Sequence, residues 1–242
     1  MFRITRKTIQ YNCADYETKK TIRNNILLIL QEEFLNKCYL CENDNLTDAQ
    51  IDHFKPKSKY SELIYNINNL FYACSRCNRL KGVVDNIIDH TNNAHHIDWI
   101  MCNYYYLSNQ IIISKNETIA ADEQYVVTIN NTIKLLQKIF HQELGINKND
   151  IQNTQIIYES NCSNLLKKIK IAVTELLNIL IEYQRYISDI GGEIEQVESK
   201  QNRCIIIIKQ LISQKSPFSA FKRQIIKDSK DVNINNLCQY FD

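Results

Sequence analysis

Four cysteines in two short pairs stand out in the sequence, because pairs of this kind are typical of a bound zinc ion. Each pair has two residues between its cysteines, and the four are Cys38, Cys41, Cys74 and Cys77. Two thiolates from each pair complete the tetrahedral coordination that structural zinc prefers. Four unrelated core thiols would explain the paired spacing less well. The sequence therefore predicts a structural Zn²⁺ that closes residues 42–73 into a loop.

The zinc-closed loop contains an Asp–His pair, Asp52-His53. An extended strand turns adjacent side chains to opposite faces, so one of the two can face a metal ion while the other faces water. The dipeptide alone is weak evidence, since Asp89-His90 repeats it without flanking cysteine pairs. We interpret this second copy as structural, and His95, His96 and His141 as surface or structural histidines.

The order of these motifs resembles the HNH nuclease family, whose ββα-metal motif combines a catalytic divalent ion with a separate four-cysteine zinc site in many members. The resemblance covers residues 38–82 and depends on the segments CYLC, IDHFKPKSKY and NNLFYACSRCNRLKG. It implies that His53 is the general base that activates water, and that Asp52 and Asn78 bind the catalytic Mg²⁺ or Mn²⁺. Asn69 matches the middle asparagine, which steadies the loop that carries the histidine. The last motif position is asparagine here, a common substitution for the histidine of the family name.

The chemistry of these residue types agrees with the implied roles. A neutral imidazole, with an ordinary pKa of about 6.5, accepts a proton from water at physiological pH. Hard ions prefer carboxylate and amide oxygens as ligands. Basic residues are concentrated between His53 and Gly82, where they would contact a phosphate backbone, although short lysine runs also occur in solvated loops. The candidates for substrate binding are Lys55, Lys57, Arg76, Arg79 and Lys81.

A narrower resemblance is to the PtuB family, the HNH nucleases of Septu-type and retron-associated anti-phage systems. It depends on the same central segments, on the helical pattern of the C-terminal half and on the late segment SPFSAF. It implies an ATPase partner, PtuA-like, that restrains and triggers the nuclease, with the helical half from about residue 122 as its docking surface. The sequence has no G-x-x-x-x-G-K-[ST] loop, so nucleotide sensing would come from elsewhere.

Two other functions stay open at the level of sequence. One is a stand-alone McrA-like restriction nuclease, which would cleave without a partner. The other is a non-catalytic, zinc-dependent module for nucleic-acid binding or adaptor contacts, which would leave the placement of Asp52, His53 and Asn78 to chance. The substrate would be a nucleic acid, with DNA the first candidate and RNA the alternative.

Hydrophobic periodicity predicts the elements that must position this centre. Apolar residues over residues 15–34 recur every three or four positions, which indicates an amphipathic helix of about 20 residues. Pro56 disfavours helix at the residue before it, so the Asp52-His53 segment is expected to be extended, with a turn at residues 55–58. Residues 61–80 are expected to be partly helical.

The second half of the chain changes from a strand-like to a helical pattern. β-branched and aromatic residues over residues 83–114 predict short strands and one hairpin around Ser108-Asn109-Gln110. Helical spacing then predicts one helix that ends at Gly145 and two more that cover residues 150–187 and 193–214 and are separated by a break at Gly191-Gly192. A last short helix is expected to begin at Pro217.

Together these patterns predict an α+β, mostly helical fold with a zinc-stabilised ββα-metal HNH core, a short β-hairpin region and a C-terminal helical bundle. The expected segments are an N-terminal helix that packs on the core (1–36), the nuclease core (37–82), a short-strand extension (83–120) and a helical partner-docking region (121–242).

The overall composition is uninformative about substrate but limits the location. The 29 basic and 27 acidic residues leave a net charge of +2, which says nothing about nucleic acid. No apolar run is long enough to span a bilayer and no secretory signal follows Met1, so we expect a cytoplasmic protein without membrane contact. In such a reducing compartment the nine cysteines are not expected to form disulfides.

Overall fold

The computed structural model describes residues 2–6, 16–141, 151–188 and 194–241. The helices are α1 (Lys20–Glu33), α2 (Ser75–Lys81), α3 (Val126–His141), α4 (Ile151–Ser188), α5 (Ile194–Ile212), α6 (Ser219–Lys227) and α7 (Val232–Asn235). The strands are β1 (Ala49–His53), β2 (Leu70–Cys74), β3 (Ile100–Tyr105) and β4 (Gln110–Lys115). The predicted mostly helical α+β class is therefore confirmed. No helix in the described ranges is long and apolar enough to cross a membrane.

The first sheet pairs β1 with β2 in antiparallel register, with Ile51 opposite Tyr72 and His53 opposite Leu70. Every residue of β2 is buried, and α2 begins directly after it. The extended Asp52-His53 segment is confirmed. Residues 61–80 are helical in part, as predicted, in two 3-10 segments and α2. Strand β2 between them was not predicted, because a short run of buried apolar residues has the same pattern in a strand as in a helix segment.

Helix α1 packs against this sheet. Its apolar face contributes Ile26 and Leu30, and Phe34 follows at its C-terminal end; all three are fully buried. The helix is shorter than predicted, with 14 residues. It ends because Leu35 and Asn36 both adopt positive φ angles, which a right-handed helix cannot contain. The resulting sharp turn delivers the chain to the first cysteine pair.

The second sheet is the predicted hairpin, formed by β3 and β4. Asn109 in its turn has a φ of 52°, a left-handed conformation that asparagine tolerates better than most residues. The Tyr104 hydroxyl donates to Asn109 Oδ1 at 2.7 Å and fixes the turn to the strand. Residues 83–99, also expected to be strand-like, form turns and a short 3-10 segment.

The chain divides into two compact units, Met1–Met101 with Ile113–Gly145, and Cys102–Ile112 with Ile146–Asp242. The first unit contains both cysteine pairs and the Asp–His pair. The second is a helical bundle in which α4, α5 and α6 surround one apolar core, formed mainly by Leu176, Leu180, Cys204, Ile208, Ile212 and Ile226. The four sequence segments proposed above stay a prediction.

The C-terminal helices differ from expectation in their detail. Pro217 lies before α6 rather than in its first turn, because α6 begins at Ser219 after Phe218, which has a φ of 54°. Helix α7 and a final 3-10 turn were not predicted, since they are too short to show periodicity. The expected helix end at Gly145 and the break at Gly191-Gly192 lie outside the described residues.

Candidate active site

The four paired cysteines converge at one point of the first unit. Their Sγ atoms all lie within 4.8 Å of one another, and all four side chains are buried. The Sγ atoms of Cys41 and Cys74 are 4.0 Å apart, close to the distance of about 3.8 Å between two sulfurs at 2.3 Å from a tetrahedral zinc ion. The donor set therefore fits zinc. The seven cysteines whose side chains are described are all free of disulfides.

Helix α2 lies across one face of β1 and contacts it through two pairs of polar side chains. Gln50 and Asp52 are two residues apart on the strand, so they share a face; Asn78 and Lys81 are three apart on the helix and also share a face. Asn78 Nδ2 donates to Gln50 Oε1 at 2.8 Å, and Lys81 Nζ donates to Asp52 Oδ1 at 3.2 Å. These two contacts bring Asn78 and Asp52 onto facing surfaces.

The Asp52 carboxylate is buried and contacted on both oxygens. The Tyr39 hydroxyl donates to Oδ2 at 2.7 Å, while Lys81 contacts Oδ1 and also donates to the carbonyl oxygen of His53 at 2.6 Å. Burial raises the pKa of Asp52, and the nearby charge of Lys81 and the hydrogen bond from Tyr39 oppose this effect. The carboxylate is thereby held in one orientation.

His53 has its Nε2 atom in two contacts, 3.2 Å from the carbonyl oxygen of Ile64 and 3.0 Å from the hydroxyl of Tyr16. A carbonyl oxygen only accepts hydrogen bonds, so the tautomer that satisfies the first contact carries its proton on Nε2, donates to Ile64, and has the lone pair of the neutral ring on Nδ1. Burial lowers the pKa of His53. The side chain is therefore a neutral base at physiological pH, with Nδ1 as the atom that accepts a proton.

Asn69 fixes the backbone that follows His53. Its Oδ1 accepts from the Lys55 backbone N–H at 2.7 Å, and its Nδ2 donates to the carbonyl oxygens of Lys55 at 3.0 Å and Leu63 at 3.3 Å. Its own carbonyl accepts from the Phe54 N–H at 2.8 Å. These are the contacts expected of a residue that steadies the histidine loop.

Three of the predicted residues, Asp52, His53 and Asn78, line one open cleft of about 490 Å³. Lys57, Arg23 and Glu17 line the same cleft, and the Lys57 ammonium forms an ion pair with the Glu17 carboxylate at 2.7 Å. The arrangement places a neutral base, a carboxylate and a carboxamide beside cationic side chains. Such a cleft can bind a phosphate ester and activate a water molecule next to it.

The other predicted substrate-binding residues differ from Lys57. Arg76 is buried, and its Nη2 donates to the carbonyl oxygen of Ile139 in α3 at 2.5 Å. Lys81 is buried in its contact with β1. Both cations are therefore used inside the protein, and we do not propose them as phosphate contacts. Lys55 and Arg79 are not among the residues that line the cleft.

Several residues around the centre were not singled out from the sequence: Tyr16, Arg23, Tyr39 and Gln50. Gln50 had a usable signal, because it lies two residues before Asp52, and two such residues share a face wherever the chain is extended. Tyr39 lies between the cysteines of a pair, where side chains serve as spacers in the zinc pattern. Tyr16 and Arg23 come from the N-terminal segment, and no motif marks them.

Comparison with known proteins gives two findings. Residues 38–83 match the family model of the HNH endonucleases. A stretch of 63 residues is 40% identical to the Septu protein PtuB of Bacillus thuringiensis, and it covers 25% of this chain and 24% of that protein. The match thus spans about a quarter of the relative's length. No solved structure matches the chain. The HNH nuclease domain predicted from the motif order is confirmed.

Proposed function

We propose that this protein is a metal-dependent HNH endonuclease that hydrolyses phosphodiester bonds in nucleic acid. The observation that supports this most is the single cleft lined by Asp52, His53 and Asn78. Hydrolysis of a phosphodiester needs a base for water and a cation next to the scissile phosphate. One cleft offers both the base and the oxygen ligands for a cation.

In the proposed reaction His53 takes the proton of the attacking water. The carbonyl of Ile64 holds the Nε2 proton, so Nδ1 is the accepting atom. Asp52 and Asn78 would hold Mg²⁺ or Mn²⁺, because hard ions take oxygen ligands. The Asn78 amide nitrogen donates to Gln50, which leaves the amide oxygen for the ion. When bound, such an ion stabilises negative charge on the scissile phosphate and the departing oxygen.

The remaining parts of the site support this chemistry. The four cysteines would hold a structural Zn²⁺ as thiolates, and a reducing cytoplasm would keep them from forming disulfides. Lys57 and Arg23 would contact the phosphate backbone at the cleft. Contacts to phosphate would be the same for both nucleic acids, so they do not distinguish DNA, the first candidate substrate, from RNA, the alternative.

We further propose that the nuclease is the effector of an anti-phage defence system and works with a PtuA-like ATPase. The similarity of its HNH region to a Septu protein PtuB supports this proposal. Co-purification of the tagged protein with the ATPase, followed by cleavage assays with and without ATP, tests it. Unaltered activity and no complex would contradict the partnership.

A cleavage assay tests the nuclease itself. Purified protein, alone and with the ATPase, is incubated with DNA or RNA and Mg²⁺ or Mn²⁺. We expect His53→Ala to lower the rate about 10²- to 10⁴-fold, the typical contribution of a positioned general base. His96→Ala is the matched control, because His96 is exposed and does not line the cleft. Equal cleavage by wild type and His53→Ala would refute the assignment.

The same assay separates the alternatives. Specific cleavage by the isolated chain would support a McrA-like stand-alone nuclease. Tight nucleic-acid binding with zinc retained, and no cleavage with any added metal, would support a non-catalytic module.

A further inference from the structure

Tyr39 connects the four-cysteine site to the sheet that carries the catalytic residues. It lies inside the first cysteine pair, directly after Cys38. Its backbone N–H donates to the carbonyl oxygen of Tyr72 in β2 at 3.1 Å. Its side chain is fully buried, with edge contacts to the rings of Phe34 and Phe71 at centroid distances of 6.3 and 5.0 Å. Backbone and ring are therefore both fixed.

The hydroxyl of this fixed ring donates to Oδ2 of Asp52 at 2.7 Å. Lys81 contacts the other carboxylate oxygen at 3.2 Å. The two donors come from different parts of the first unit, one from the turn between two cysteines and one from α2. The orientation of the carboxylate thus depends on the position of the cysteine turn.

We infer that Tyr39 is a positioning residue for the catalytic ion, which transmits the geometry of the four-cysteine site to the Asp52 carboxylate. This inference rests on the proposed function, because it requires Asp52 to be an ion ligand. A ligating carboxylate that is hydrogen-bonded to a rigid partner presents its oxygens in one orientation, and loss of such a partner typically lowers metal affinity about 10- to 100-fold.

If Tyr39 were purely structural, a different effect of its substitution on ion binding would be expected. The ring alone would fill space between Phe34 and Phe71, and the hydroxyl would be dispensable for ion binding. Tyr39→Phe separates the two roles, since it keeps the ring and removes only the hydroxyl. Tyr72→Phe is the matched control, because it removes a buried tyrosine hydroxyl from the strand that pairs with β1 and Tyr72 has no described hydrogen bond to Asp52.

The test measures Mn²⁺ affinity of the zinc-loaded full chain without nucleic acid, from the electron paramagnetic resonance signal of free Mn²⁺. Wild type, Tyr39→Phe, Tyr72→Phe and Asp52→Asn are compared at equal zinc content. We expect Tyr39→Phe to bind Mn²⁺ about 10- to 100-fold more weakly than wild type, Tyr72→Phe to bind it as wild type does, and Asp52→Asn to lose the site.

The outcomes separate this inference from the proposed function. If Asp52→Asn weakens binding and Tyr39→Phe does not, the role of Tyr39 is refuted and the ion site stands. If wild type and Asp52→Asn bind alike, both are refuted. If Tyr39→Phe does not fold, cadmium NMR of the wild type with cadmium in the four-cysteine site decides. Its resonance must move when Mg²⁺ is added, and an unmoved resonance refutes the inference.

Discussion

The ion pair between Lys81 and Asp52 offers a direct test of how the candidate site is built. The side chains are 0% and 4% exposed, and Nζ lies 3.2 Å from the carboxylate. Lys81→Met removes the charge and keeps most of the side-chain volume. The variant leaves a buried carboxylate whose only other described donor is the Tyr39 hydroxyl.

The loss of stability expected for Lys81→Met follows from the burial of the ion pair. Removing one partner of a buried ion pair typically lowers the free energy of unfolding by about 3–5 kcal/mol, because the remaining charge is uncompensated. Lys81→Met/Asp52→Asn removes both charges, so most of that penalty disappears. The hydrogen bond from Lys81 to the carbonyl of His53 is lost in both variants and accounts for about 1 kcal/mol. We therefore expect a coupling energy of about 2 kcal/mol or more.

Urea denaturation of wild type, both single variants and the double variant gives this coupling energy. Zinc is kept constant and Mg²⁺ is left out. Trp99 is the single tryptophan, is buried and lies in the same compact unit as the site. Its fluorescence therefore follows the unfolding of that unit. A coupling energy below about 0.5 kcal/mol, the level expected for independent sites, would refute the pairing of Lys81 with Asp52.

Two further predictions concern the surroundings of the site. Asn69→Ala should lower the free energy of unfolding by about 2 kcal/mol, because backbone groups of Lys55 lose their hydrogen-bond partners. Asn68→Ala is the control, because Asn68 is the exposed neighbour. An equal loss of stability in Asn68→Ala would contradict the prediction. Burial lowers the pKa of His90 to about 4. As the pH falls below about 6.5, this histidine therefore takes up a proton in the unfolded chain before it does so in the folded protein. The free energy of unfolding of wild type should fall by about 1.4 kcal/mol per pH unit from about pH 6.5 towards 4. His90→Phe should lack this component, and identical slopes of the two proteins in urea titrations at pH 7 and 5.5 would argue against it.

The sequence was sufficient for residues whose type and spacing define a chemistry. Four cysteines in two pairs allow few explanations, and the structure brings all four together. The position of Asp52-His53 between the two cysteine pairs distinguished it as a candidate site, since its copy at Asp89-His90 has the same two residues. In the structure the second histidine is buried against the rings of Phe2 and Tyr39. Motif order therefore carried information that composition did not.

The sequence was insufficient where a role depends on which elements meet. Arg76 and Lys81 belong to a basic segment, and charge alone suggested phosphate contacts. Both are buried because α2 packs against β1 on one side and α3 on the other. Arg76 then donates to the carbonyl of Ile139, and Lys81 donates to Asp52. Neither contact can be deduced from the local sequence, since the partners are distant in the chain.

A metal ion held by the four cysteines would stabilise elements that are too short to be stable alone. The sheet of β1 and β2 has two strands, and α2 has seven residues; such elements are marginal by themselves. A structural zinc contributes about 10–16 kcal/mol in small modules, and polar contacts between α2 and β1 involve Asp52 and Asn78 themselves. Substitutions of these two residues therefore change packing as well as chemistry. His53 contributes only its backbone carbonyl to the described contacts between α2 and β1, and His53→Ala keeps that carbonyl, so this variant separates loss of catalysis from loss of structure most cleanly.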